Sequence, residues 1–105
     1  MNLSKALSFG LSNDLMMKII SIFSNYKNIE KVYIFGSRAM GNYNHNSDID
    51  LVLIGKIEPI IIGKIKLDLE DLDTPYFFDV ISYQSISSQE LKEHIKKKGK
   101  IIFEK

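Results

Sequence analysis

Apolar and polar positions along the chain follow two rhythms. Val32-Tyr33-Ile34-Phe35 and Leu51-Val52-Leu53-Ile54 are unbroken apolar runs of strand length, which read as buried strands. A third run, Tyr76 to Ile81, is also of strand length but carries Asp79 inside it. Between and around these runs the spacing turns helical. Leu15, Ile19, Ile22, Phe23 and Tyr26 make one stripe, predicting a helix from about Asp14 to Tyr26 capped by Ser12 or Asn13. Ser37 to about Met40 is expected as a short helix ended by Gly41. Between Ile57 and Asp73, Pro59 opens a helix whose Ile61, Ile65, Leu69 and Leu72 face the core. Ile60 and Ile62 fall off that stripe, so a partly extended segment is the alternative. Ser87 and Glu90 form a capping box for a helix through roughly Lys98, with Leu91 and Ile95 inward and Gly99 as its stop. Ile101-Ile102-Phe103 suggests a short edge strand, and the first ten residues suggest a short helix around Leu3, Ala6 and Leu7. The expectation is an α/β (α+β) fold: a small mixed sheet with helices mainly on one face, forming one domain over residues 1–105.

Charged residues stand out where the pattern breaks. Gly36-Ser37 closes one predicted strand, and after a gap of ten residues Asp48-Ile49-Asp50 opens the next. Strand side chains alternate faces, so Asp48 and Asp50 project to one side. Two carboxylates on an apolar strand repel each other and are costly to desolvate, a cost that a divalent cation removes. Hard oxygen donors favour magnesium, with manganese as the second choice. Glycine lets backbone approach closely, and the amides after it open a helix, an arrangement that suits phosphate. By average residue frequencies such a spacing arises by chance about once in a thousand chains of this length. Asp79, a lone carboxylate in an apolar strand, calls for a partner or a metal, against the plainer reading of an edge strand with Asp79 facing water. Arg38 is the one arginine of the chain, and its planar fork suits bidentate phosphate contact. His45 sits among loop asparagines and reads as solvated. The acidic group Asp68, Glu70, Asp71 and Asp73 reads as a solvated face. Lys96, Lys97, Lys98 and Lys100 complement a helix C-terminus.

Composition narrows the field without adding to it. The 105 residues are 45% apolar and 26% charged, with a net charge of +1, so no global field draws the chain to nucleic acid or to a membrane. Cysteine is absent, which removes disulfide scaffolds and thiolate metal sites. With no signal-peptide pattern and no bilayer-length apolar stretch, cytoplasmic is the expected location.

Phe35-Gly36-Ser37-Arg38-Ala39-Met40-Gly41 and Ser47-Asp48-Ile49-Asp50-Leu51 together resemble the polymerase-β-like nucleotidyltransferase superfamily. Pro75-Tyr76-x-x-Asp79-Val80, Leu91-x-x-His94-Ile95 with Gly99, and the chain length resemble its minimal nucleotidyltransferase (MNT) group. The resemblance implies a carboxylate triad of Asp48, Asp50 and Asp79 holding two Mg2+ ions, with Asp79 also accepting the attacking hydroxyl's proton. It implies that Gly36, Ser37 and Arg38 bind the phosphates of ATP. It further implies an antitoxin that transfers AMP from ATP to a tyrosine of a HEPN ribonuclease toxin. Met40 departs from the family pattern, where a basic or polar residue is expected, and Phe77-Phe78 stand where a charge often occurs. Two alternatives belong beside this reading: an antitoxin that neutralises its partner by binding alone, and nucleotidyl transfer to a small molecule. The latter enzymes carry a further domain for the acceptor pocket, for which 105 residues leave little room. Templated polymerisation lacks the extended basic face it would need.

Overall fold

The computed structural model describes residues 7–105, and two elements precede the expected core. Leu7–Ser8 (β1) and Leu11–Ser12 (β2) pair antiparallel. The two-residue loop between them has positive φ at both Phe9 (58°) and Gly10 (76°), the backbone twist that suits a tight hairpin. The expected N-terminal helix is therefore corrected at Leu7, which is in a strand; Leu3 and Ala6 lie outside the described residues. Helix α1 follows at Asn13–Ser24, with the Ser12 hydroxyl accepting from the Leu15 amide at 3.1 Å. Leu15, Ile19 and Phe23 of the expected stripe are buried, together with Met16, while Ile22 and Tyr26 are half-buried.

Strand β3 (Lys31–Phe35), short helix α2 (Ser37–Met40) and strand β4 (Ile49–Ile54) lie where the sequence placed them. Gly41 ends α2 with φ 86°. The ambiguous segment resolves as one continuous helix, α3 (Pro59–Glu70), with Ile65 and Leu69 buried. Ile62 reaches the core as a half-buried neighbour, whereas Ile60 stays 68% exposed. Strand β5 (Phe78–Ser82) leads through a 3-10 turn at Tyr83–Ser85 into α4 (Gln89–Lys98), and β6 (Lys100–Glu104) closes the chain. The capping box is corrected by one residue. Ser88, not Ser87, caps α4, accepting from the Leu91 amide at 3.2 Å, so Glu90 falls one place short of the position that would answer back.

The four long strands form one mixed sheet in the order β5-β4-β3-β6. β4 runs antiparallel to β3 and parallel to β5, and β6 runs antiparallel to β3. The parallel pair is joined through α3, since parallel neighbours need a crossover. Alternation along each strand then makes two cores. Val32 and Ile34, with Ile49, Leu51 and Leu53 and with Phe78 and Val80, pack with α1 and α3 on one face. Phe35, Val52 and Ile95 form a smaller core with α4 on the other. Helices α1 and α3 thus share one face, and α4 takes the opposite one.

Candidate active site

Strand direction alone assembles the site. β4 is antiparallel to β3, so its first residues lie beside the last residues of β3, and Phe35 pairs with Asp50. It is parallel to β5, so its first residues also lie beside the first residues of β5, and Asp50 pairs with Asp79. The Ile49 amide donates to the Phe77 carbonyl at 2.8 Å, fixing that register. Asp50 and Asp79 stand on the α4 face, opposite the larger core, and Asp48, one residue before β4, is near enough for its charge to act on Asp50. Asp50 is half-buried; Asp48 and Asp79 are exposed.

Crowding is legible in the electrostatics. The Asp50 carboxyl is pushed up from the ordinary 3.8 to about 6, chiefly by burial, then by the negative charges of Asp79 and Asp48; the charge of Arg38, and that of the His94 ring in its protonated form, pull the other way. A carboxylate in that position fits a bound cation, which would remove both the desolvation cost and the repulsion. Among the described residues, no three acidic or histidine side chains close into a metal cage. The carboxylates form an open row instead. Magnesium suits such a row, because it keeps much of its shell for water and phosphate oxygens and takes only one or two carboxylates.

Gly36 adjoins this row. Its backbone lies at φ 75°, ψ −153°, a region open essentially to glycine, and a Cβ there would run into the Asp50 carboxylate. The Gly36 carbonyl accepts from the Met40 amide at 3.1 Å, and its own amide donates to Nε2 of His94 at 3.2 Å. Ser37, half-buried, opens α2, where the first amides of a helix have no acceptor within it.

Arg38 needs correction. It is buried, at 1% exposure, and its donors are engaged inside the protein. Nε and Nη2 donate to the Ser47 carbonyl at 3.1 and 2.9 Å, and Nη1 donates to the Phe9 carbonyl at 2.8 Å. The guanidinium lies between two aromatic rings, 5.2 Å from the Tyr43 centroid and 4.9 Å from that of Tyr76. A fork so occupied is not presented to a phosphate. Arg38 instead ties the residue preceding Asp48 to the N-terminal hairpin and to the turn that leads into β5, so it positions the carboxylates. Gly10 makes room for it, since a Cβ there would run into the Tyr43 ring and come within 2.9 Å of Nη1. The lone arginine, singled out by its rarity, is a buried tie between segments. Its aromatic partners, five and thirty-eight residues away, gave no local signal.

His94 enters the sequence pattern only as part of a motif, yet it reaches the site. Its ring stands edge-on to Phe35, with centroids 6.2 Å apart at 76°. Its spacing of three from Leu91 was the available sign, because it places both on one helix face. His45 is exposed in the connecting loop, as expected. Asp68 leaves the expected solvated acidic face: half-buried, it accepts a hydrogen bond from the Tyr26 hydroxyl, which pushes Tyr26 up to about 12.

The profile described as Polymerase beta, Nucleotidyltransferase matches residues 17–105, and the chain belongs to this nucleotidyltransferase family. No curated protein matches it by sequence. Among solved structures it is similar to a toxin–antitoxin with AMP-PNP, at 26% identity and a TM-score of 0.70, covering 86% of this chain and 73% of that one. It shares its fold with the MntA–HepT toxin–antitoxin, at 22% identity and a TM-score of 0.66, over 90% of this chain and 74% of that one. It shares it also with a complex of tri-AMPylated Shewanella oneidensis HEPN toxin and MNT antitoxin, at 22% identity and a TM-score of 0.64, over 87% and 71%. The resemblance to the minimal nucleotidyltransferases is thus met at the level of family and fold. Among the described residues no helix is long and apolar enough to cross a membrane.

Proposed function

We propose that this chain is an antitoxin that transfers AMP from ATP to a tyrosine of a HEPN ribonuclease toxin. One observation carries the reading: Asp50 and Asp79 lie in register at a strand end beside the Gly36-Ser37 turn. The likeness to a toxin–antitoxin with AMP-PNP supports both the nucleotide and the kind of partner. Asp48 and Asp50 would hold Mg2+, with Asp79 helping at a second ion; bound there, the metal neutralises the triphosphate and the departing pyrophosphate. Ser37 and the first amides of α2 bind the outer phosphates, at the turn that Gly36 makes possible. The tyrosine oxygen attacks the α-phosphorus, the bond to pyrophosphate breaks, and the phenolic proton passes to Asp79. Asp79, exposed at the start of an edge strand, is open to a macromolecular acceptor.

Incubation with α-labelled ATP, magnesium and the product of the neighbouring gene tests this. Label on the partner that is lost with Asp48→Asn, Asp50→Asn is the expected result. A silenced but unlabelled partner in a stable complex would replace transfer with neutralisation by binding.

A further inference from the structure

The Gly36 turn is held in a conformation that only glycine tolerates, and such a backbone persists only where its surroundings fix both adjoining peptides. One of the two is fixed locally, by the Met40 amide donating to the Gly36 carbonyl at 3.1 Å. The other is fixed from 58 residues away. The Gly36 amide donates to Nε2 of His94 at 3.2 Å, across the gap between sheet and α4. Accepting there requires a neutral ring with its proton on Nδ1.

His94 is itself well placed to act as an anchor. Its ring is braced edge-on against Phe35, the residue before the turn. The adjoining Ile95 is 4% exposed and sits in the small core with Phe35 and Val52. The Ile95 carbonyl accepts from the Gly99 amide at 2.8 Å, which ends α4. Any Cβ at Gly36 is excluded by the Asp50 carboxylate, so the turn touches a carboxylate of the proposed metal row on one side and an imidazole on the other.

We propose that His94 is a positioning residue for nucleotide binding: by accepting the Gly36 amide it sets the turn from which Ser37 and the first amides of α2 meet the triphosphate. This rests on the reading of Gly36-Ser37 as the phosphate turn. It assigns the Gly36 amide to the protein, which leaves the phosphate to Ser37 and the α2 amides beyond it.

The test is magnesium–ATP titration by calorimetry of the wild type, His94→Phe and His94→Gln, with thermal melts of all three. Phenylalanine keeps the ring against Phe35 and removes the acceptor, whereas glutamine keeps an acceptor oxygen. Affinity should fall about tenfold in His94→Phe and stay within about threefold in His94→Gln, the worth of one hydrogen bond. Equal affinity in all three, or an equal loss in both variants, overturns the proposal. A wild type that binds no nucleotide overturns the phosphate reading itself, and the two failures are told apart by that control. Should neither variant fold, a scalar coupling across the Gly36 N–H···Nε2 His94 bond decides the matter in 15N-labelled wild-type protein at about pH 8, where an ordinary imidazole is neutral. Its presence supports the anchor and its absence overturns it.

Discussion

The two faces of the sheet are built to different ends. Toward α1 and α3, strands and helices close over a large apolar core in which Ile19, Phe23, Ile34, Leu51, Ile65 and Leu69 have no exposed surface. Toward α4, only Phe35, Val52 and Ile95 are buried in the apolar cluster, with Tyr33, Ile81, Tyr83, Ile86 and Leu91 half-buried around them, and the same face carries Asp50, Asp79 and His94. One face supplies stability and the other tolerates groups that oppose it. The carboxylate row is a local liability, since burial and like charge act against Asp50, and the opposite core is what offsets it.

Breaking the carboxylate row should give the largest effect and leave the fold standing. Asp48→Asn, Asp50→Asn should lower transfer on the order of a thousandfold, with no loss in melting temperature. A drop in melting temperature of that double variant would contradict the division of labour between the faces. The converse substitution is Phe23→Ala, which should cost about 3–5 kcal/mol in denaturant unfolding as a filled core position becomes a cavity. Any activity loss in it should follow the fraction unfolded.

Arg38→Lys probes the seam between the two regions. A lysine cannot make the three carbonyl contacts and stack between Tyr43 and Tyr76 at once. Stability should fall by about 2–3 kcal/mol, and transfer should fall with it as the loop before Asp48 loosens. A variant that melted normally and lost only ATP affinity would restore the phosphate role.

Smaller effects are expected from pH. The Asp50 proton is held more tightly in the folded state, with its carboxyl at about 6 against 3.8. Metal-free stability should therefore fall as pH rises from about 4 to about 6 and level off above. Asp50→Asn should remove that slope, and magnesium should stabilise the wild type more at neutral pH than at pH 4. Tyr26→Phe should be the mildest change, about 1 kcal/mol, because half-exposed Asp68 can turn to water. With Tyr26 raised from 10.0 to about 12, its contribution is complete below pH 10 and is lost as pH rises through 12. Melts in alkaline buffer would show the wild type losing an advantage that the variant never had.

The sequence legibly carried what depends on neighbours along the chain. Apolar runs located β3 and β4, and Gly36 and Gly41 bounded α2. It was silent where the deciding contact is distant. Burial of Arg38 depends on Phe9, Tyr43, Ser47 and Tyr76, which only the fold brings together. The reach of His94 depends on the face of the sheet that α4 occupies. At the start of α4 two adjacent serines compete, and the choice of Ser88 is a matter of one residue of backbone geometry that no composition rule resolves. The hairpin at Leu7–Ser12 was missed because positive φ at Phe9 is unusual for an aromatic residue.

The position of β6 has a consequence for the making of the protein. β3, which leads into the Gly36 turn, receives its second neighbour only from Lys100–Glu104, and the imidazole that accepts the Gly36 amide comes only at His94. During synthesis the carboxylates of β4 are therefore in place long before the turn beside them is fixed. A chain still held on the ribosome past Asp79 has every carboxylate of the proposed site and lacks both β6 beside β3 and the His94 ring beside Gly36.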